Sequence, residues 1–305
     1  MDLRVNIGGL TLANPVGVAS GTFGYGDEYA GLFDIDRLGA LYTKAVTPEA
    51  RAGNRTPRLA DTPAGMLNSI GLANPGLDSF ITDKLPALRQ RRCAVIVNVA
   101  GTCPEEYQAV VERLETVEGL AGYEINISCP NVKAGGLALG TDLKLVESLT
   151  RRLRDCRQRP ERPLIVKLSP NVTDIAEIAR AAEAGGADAV SCINTLVGMV
   201  IDVQKQRPVL AMGTGGLSGP AIRPVGVACV YKVSRAVGIP IIGLGGIGCL
   251  DDALQYFLAG ASAIQIGTAL FRRPECALEI LDGLAPWLEA NHLSSVTEIK
   301  RLLKV

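Results

Sequence analysis

Short apolar runs rich in valine and isoleucine recur along the chain, each ending in small or polar residues. Eight of them read as strands: residues 14–21 (NPVGVASG), 40–46 (ALYTKAV), 93–101 (CAVIVNVAG), 122–128 (GYEINIS), 163–170 (PLIVKLSP), 187–194 (ADAVSCIN), 239–246 (IPIIGLGG) and 261–267 (ASAIQIG). None shows the strict in–out alternation of a half-exposed strand, so they suit strands buried on both faces. Helical patterns lie between them, with apolar residues at three- and four-residue steps in 102–117, 141–158 and 174–186. Strand and helix in alternation predict an α/β fold, a closed (β/α)8 barrel over a single domain, residues 1–305. An open doubly wound sheet is the alternative, and no GxGxxG follows the first strand to support it.

Two regions depart from a bare barrel. Residues 3–15 (LRVNIGGLTLANP) predict a hairpin turning on two glycines, placed to close the barrel's lower end. Residues 47–76 and 198–224 are too long for plain connections, and loops of that length are commonly lids or binding loops.

Composition narrows the function classes. Lysine plus arginine and aspartate plus glutamate both number 31, so no global charge draws the chain to nucleic acid or an anionic surface. The basic run 151–162 (RRLRDCRQRPER) reads as a solvated outer helix. No run of membrane-spanning length and no signal-peptide pattern occurs, which predicts a cytoplasmic protein. The eight cysteines contain no CxxC, and His292 is the single histidine, so no metal site is expected in this chain. Cys192 is expected to be a packed thiol, and Cys103 opens a helix without an assigned role.

Polar residues fall at corresponding strand ends, which in a barrel meet at one mouth. They are Lys44, Asn98, Asn126 with Cys129, Lys167, and Asn194 with Thr195. Buried polar groups cost free energy unless paired, so such a set points to a ligand. The glycines of 213–219 (GTGGLSG), 243–248 (GLGGIG) and Gly267–Thr268 offer backbone donors to an anion, and the last two occupy the usual phosphate position of such barrels. Cys129 follows a strand in "SCPN", among polar neighbours. It can be a core thiol or a reagent, and the lone distant His292 disfavours a Cys–His hydrolase.

These motifs, NPVGVASGTFGYG, GMLNSIGLANPG, EINISCPNVKAGG, VKLSPN, GTGGLSGPAI and GLGGIG with IQIGTA, run in order from residue 14 to 269 and resemble the class 1 dihydroorotate dehydrogenases. The nearest resemblance is to the FMN-bearing catalytic subunit of the NAD-linked class 1B enzymes. That resemblance implies FMN against Ala19, Ser20, Lys44 and Ala45, with Asn98, Asn126 and Lys167 on its polar edge or ribityl chain and Ile193 and Gly219 lining it. Gly245, Gly246, Gly267 and Thr268 would hold its phosphate. Dihydroorotate would meet Lys44, Asn68, Ser69, Ile70, Gly71, Leu72, Asn126, Asn131, Asn194 and Thr195.

Cys129 would take the proton from C5 while C6 gives up a hydride, and Lys167 would stabilise charge on the reduced flavin. Residues 47–76 and the Cys129 loop would together cover the substrate, with the glycines of VKAGG as hinges. A partner subunit carrying FAD and a [2Fe–2S] cluster is implied, in an assembly of two catalytic and two electron-transfer subunits. A class 1A enzyme reducing fumarate, a flavin barrel acting on another dihydropyrimidine, and a non-catalytic phosphate-ligand barrel stay open as alternatives.

Overall fold

The computed structural model describes residues 1–128, 133–134 and 137–304. All eight predicted runs are strands of one closed barrel. They are β1 (Val16–Val18), β2 (Ala40–Tyr42), β3 (Ala94–Val99), β4 (Gly122–Asn126), β5 (Leu164–Leu168), β6 (Ala189–Cys192), β7 (Ile241–Leu244) and β8 (Ala263–Ile266). Neighbours pair in parallel around the ring, and β8 closes on β1 through Ile264 to Val16. Asn98, Asn126 and Lys167 stay within the ladder, whereas Lys44 and Asn194 lie just beyond their strands. Nearly every strand residue is buried, as continuous apolar runs between interior and helices require.

The helices stand outside the barrel: α1 (Pro104–Glu115), α2 (Leu143–Cys156), α3 (Ile175–Ala184), α4 (Arg223–Ser234), α5 (Leu250–Ala259) and α6 (Cys276–Ala290). Asp142 caps α2 by accepting from Lys144 N and Leu145 N at 2.9 and 3.0 Å, and Asp174 caps α3 through Ala176 N at 2.9 Å. The β2-to-β3 connection is a broken helical segment, Leu77–Ser79, Phe80–Lys84 and Leu85–Leu88.

The hairpin forms as expected, Val5–Ile7 against Leu10–Leu12. Gly8 and Gly9 turn it at φ 65° and 97°, angles that favour glycine. A Cβ on Gly8 would lie 2.5 Å from Asp188, the residue before β6, so the turn packs at the barrel's lower end.

The two long excursions differ from the loops expected. Leu59–Thr62, Gly65–Asn68, Leu196–Gly198 and Gly215–Ser218 pair antiparallel into a four-stranded sheet over the mouth. Ala60, Leu67 and Leu210 form a small buried cluster of their own beneath it. Residues 47–76, read from their length as a lid or binding loop, therefore carry two strands tied to the other excursion.

The basic run is also corrected. Helix α2 stops at Cys156, and Arg157 and Arg162 turn inward. Arg162 is buried and donates to Leu114 O, Val117 O and Tyr123 Oη, while the buried Glu115 accepts from Tyr123 Oη, Gln158 N and Arg159 N. Half of that run is a polar knot at the base of β4 and β5, and the other half is solvated.

Candidate active site

The strand ends meet as the barrel geometry requires. Lys167, on β5, is almost wholly buried, and its Nζ donates to Ser20 Oγ at 3.1 Å and lies 3.3 Å from Glu124 Oε2. Asn98, on β3, is fully buried and donates Nδ2 to the same Glu124 oxygen at 2.7 Å. Its other amide atom, Oδ1, has no partner among the described residues. An acceptor left open in a buried site calls for a donor from a ligand.

Glu124 was not anticipated. It sits between Tyr123 and Ile125 on β4 and is fully buried. Besides Asn98 and Lys167, its Oε1 accepts from Ser191 Oγ at 2.8 Å and Gln265 Nε2 at 2.7 Å. Burial would raise the carboxyl's pKa. The Lys167 ammonium and the Gln265, Ser191 and Asn98 donors outweigh it and hold the group below the usual carboxylate range. Side chains from β3, β4, β5, β6 and β8 thus close a polar plug beneath the mouth. The alternation of β4 offers the only sequence signal: Glu124 is two residues before Asn126 and so faces the same way.

Above the plug, Asn194 Nδ2 approaches Asn126 Oδ1 at 3.4 Å, and the same oxygen accepts from Ser128 N at 3.2 Å. The Asn126 carbonyl is held by Tyr107 Oη at 2.8 Å. Thr195 is pinned by Asn171, whose Nδ2 donates to Thr195 O at 2.9 Å. It also lies against Gly216, where an added Cβ would sit 2.1 Å from its Oγ1. Gly216 O in turn accepts from Asn68 Nδ2 at 3.3 Å, so the sheet carries Asn68 to Thr195. The turn beyond Asn68 holds Ser69, Ile70, Gly71 and Leu72 through Asn54 N to Ile70 O at 3.0 Å and Asn74 Nδ2 to Leu72 O at 2.7 Å. Ser69 Oγ is buried and has no partner among the described residues.

Lys44 follows β2 with its backbone N donating to Gly24 O at 2.8 Å, and Ala45 beside it is buried. Its Nζ has no ion-pair or hydrogen-bond partner among the described residues. Burial pushes this ammonium below the usual lysine range; Glu28 opposes the shift and Arg58 adds to it.

On the far side, Gly246 (φ 72°) presses against α4. An added Cβ would lie 2.6 Å from Gly219 O and 2.9 Å from Arg223 Cβ. Gly245 is backed by Ile193, and Tyr256 Oη donates to its carbonyl at 2.6 Å. Thr268 Oγ1 donates to Ser218 Oγ at 2.8 Å, and Gly267 stands against Ala19. Arg223, which the sequence did not single out, pairs with Asp252, and Asp252 also accepts from Gly248 N at 3.0 Å.

These residues fit FMN: bare backbone and hydroxyls for a phosphate, and a buried amine with an open amide oxygen for a polar ring edge. Cys129 and Asn131 lie outside the described residues. Cys192 is fully buried as expected, and burial together with a hydrogen bond to Cys229 raises its pKa far above the usual thiol range. Of the other described cysteines, Cys93 and Cys276 are buried, Cys103, Cys156 and Cys229 half-buried and Cys249 exposed. No helix among the described residues is long and apolar enough to cross a membrane.

The family model described as dihydroorotate dehydrogenase matches residues 2–288. The chain is 51% identical to the dihydroorotate dehydrogenase B (NAD(+)) catalytic subunit of Geotalea uraniireducens, covering 98% of this chain and 97% of that protein. It is 50% identical to that of Pelobacter propionicus, over 98% and 97% of the two chains. Against the Bacteroides fragilis subunit it is 49% identical, over 100% and 99%. A family match spanning most of the chain and relatives aligned from end to end leave one assignment: this chain belongs to the dihydroorotate dehydrogenase family.

Proposed function

We propose that the chain, acting as one domain, oxidises dihydroorotate to orotate in pyrimidine biosynthesis and is the catalytic subunit of an NAD-linked enzyme. The observation that carries this reading is the buried Lys167 beside the open Asn98 oxygen, facing a glycine-lined cradle across the mouth. FMN, when bound, supplies the hydride acceptor.

The chain's own residues supply position and proton chemistry. Asn126, Asn194, Thr195, Asn68 and the 69–72 turn offer directed donors and acceptors to a ring with two carbonyls and two N–H groups. Lys44, half-buried and unpaired among the described residues, offers a cation to the substrate carboxylate. Cys129 takes the C5 proton, and Asn131 joins the substrate donors. Lys167 places positive charge where the reaction builds negative charge. Two electrons leave through a partner subunit to NAD. We assign FAD and a [2Fe–2S] cluster to that partner, in a two-plus-two assembly in the cytoplasm. The exposed apolar side chains of Val197, Met199, Ile201 and Val203, alternate residues of one segment, together with Met212, support an assembled state.

The test is spectroscopic. The purified protein is expected to carry a flavin spectrum that dihydroorotate bleaches and dihydrouracil does not. Bleaching by both would favour another dihydropyrimidine as substrate. Reoxidation by fumarate in the isolated chain would favour the partnerless class 1A reading. Cys129→Ala is expected to keep FMN while slowing bleaching by roughly two or more orders of magnitude, and wild-type rates in that variant would remove the base assignment.

A further inference from the structure

Glu124 lies on an interior strand face, and nothing in the reaction described above uses it. Side chains from four other strands nonetheless converge on its carboxylate. Lys167 and Asn98 meet Oε2, and Ser191 and Gln265 meet Oε1. A buried ion pair of this kind is poor evidence for stability, because an apolar replacement of both partners commonly folds as well. Two of its four contacts, however, are groups that face the proposed cofactor.

The consequences for those two groups follow from geometry. Asn98 has one donor side and one acceptor side. Glu124 occupies the donor side at 2.7 Å, so the open atom is Oδ1 and the mouth receives an acceptor. Lys167 has its head fixed between Ser20 Oγ at 3.1 Å and Glu124 Oε2 at 3.3 Å. A cation 3.3 Å from an anion acts on its surroundings as a dipole, whose field falls off faster than that of a lone charge.

We propose that Glu124 is a positioning residue for the flavin site: it orients Asn98 and Lys167 and offsets the lysine's charge, so that it sets how readily the bound flavin is reduced. The proposal rests on the FMN reading above. Without the carboxylate, Lys167 becomes an uncompensated charge at the flavin's polar edge, and it favours the anionic reduced form.

The experiment is a reductive titration of the holo protein without substrate, reading flavin absorbance against a reference dye. Glu124→Gln is expected to shift the reduction equilibrium toward reduced flavin at least tenfold, about 30 mV for a two-electron couple. Lys167→Met is expected to shift it the other way. The double variant returns near wild type because both charges leave together. Glu124→Asp keeps the charge and is expected to fall between wild type and Glu124→Gln. A Glu124→Gln protein with flavin bound and a wild-type midpoint overturns the proposal, since a merely structural carboxylate would leave the midpoint alone.

Should Glu124→Gln fail to fold, the double variant carries the test, as it leaves no buried charge unpaired. Its midpoint near wild type supports the proposal, and a midpoint equal to that of Lys167→Met overturns it. A wild-type protein that binds no flavin overturns the FMN reading itself and this proposal with it, whereas a bound flavin that dihydroorotate does not bleach overturns only the substrate reading.

Discussion

At the scale of single residues, the site separates two lysines that look alike in sequence. Lys167 is paired with Ser20 and Glu124 and is almost wholly buried. Lys44 is half-buried without a partner among the described residues, and burial lowers its pKa from the usual lysine range. The sign follows directly. As pH rises through that lowered value the ammonium becomes neutral, and attraction for the substrate carboxylate is lost. KM for dihydroorotate is therefore expected to climb at alkaline pH, beginning below the ordinary lysine value of about 10.4. Lys44→Met is expected to have a high KM throughout, at least tenfold above wild type near neutrality, with no alkaline rise of its own. A kcat/KM profile against pH for both proteins checks this.

At the scale of elements, the loop after β7 is the most constrained part of the site. Gly246 holds φ at 72° with Gly219 O and Arg223 N close to where a side chain would begin. Gly246→Ala combines a left-handed backbone with a backbone clash, which costs about 1–3 kcal/mol and moves α4 away from the cradle. The expected outcome is a lower melting temperature and at least tenfold weaker FMN binding, read by flavin fluorescence titration of the apo protein. The same scale decides what the sequence could reveal. Val/Ile runs ending in small or polar residues announced all eight strands, because burial and strand-end polarity are local properties. The sheet joining 59–68 to 196–218 was not legible, since the pairing that joins its two halves, Gly216 with Asn68, lies more than a hundred residues apart in sequence. Glu124 escaped for the same reason. Inside YEINI it reads as one polar position in an apolar run, and its meaning lies in Ser191 and Gln265, on strands far along the chain.

At the scale of the whole molecule, the barrel divides labour between its ends. The upper end leaves polar atoms open among the described residues, at Asn98 Oδ1 and Ser69 Oγ, whereas the buried knot at the lower end pairs its own. There Arg162 and Glu115, both buried and 3.8 Å apart, share Tyr123 Oη and tie the end of α1 to the starts of β4 and β5. No ligand-facing atom takes part, so this knot contributes to folding and leaves the chemistry alone. Breaking it on one side strands a buried charge, which costs about 3–5 kcal/mol. Arg162→Met is accordingly expected to lower the unfolding free energy from urea titration by that amount, while the folded fraction keeps the wild-type flavin spectrum and wild-type bleaching rate. Glu115→Gln, which retains the hydrogen-bonding shape, is expected to cost less. A flavin spectrum or bleaching rate that changed with Arg162 would mean the two ends are coupled through β4 and β5, whose upper residues include Glu124, Asn126 and Lys167.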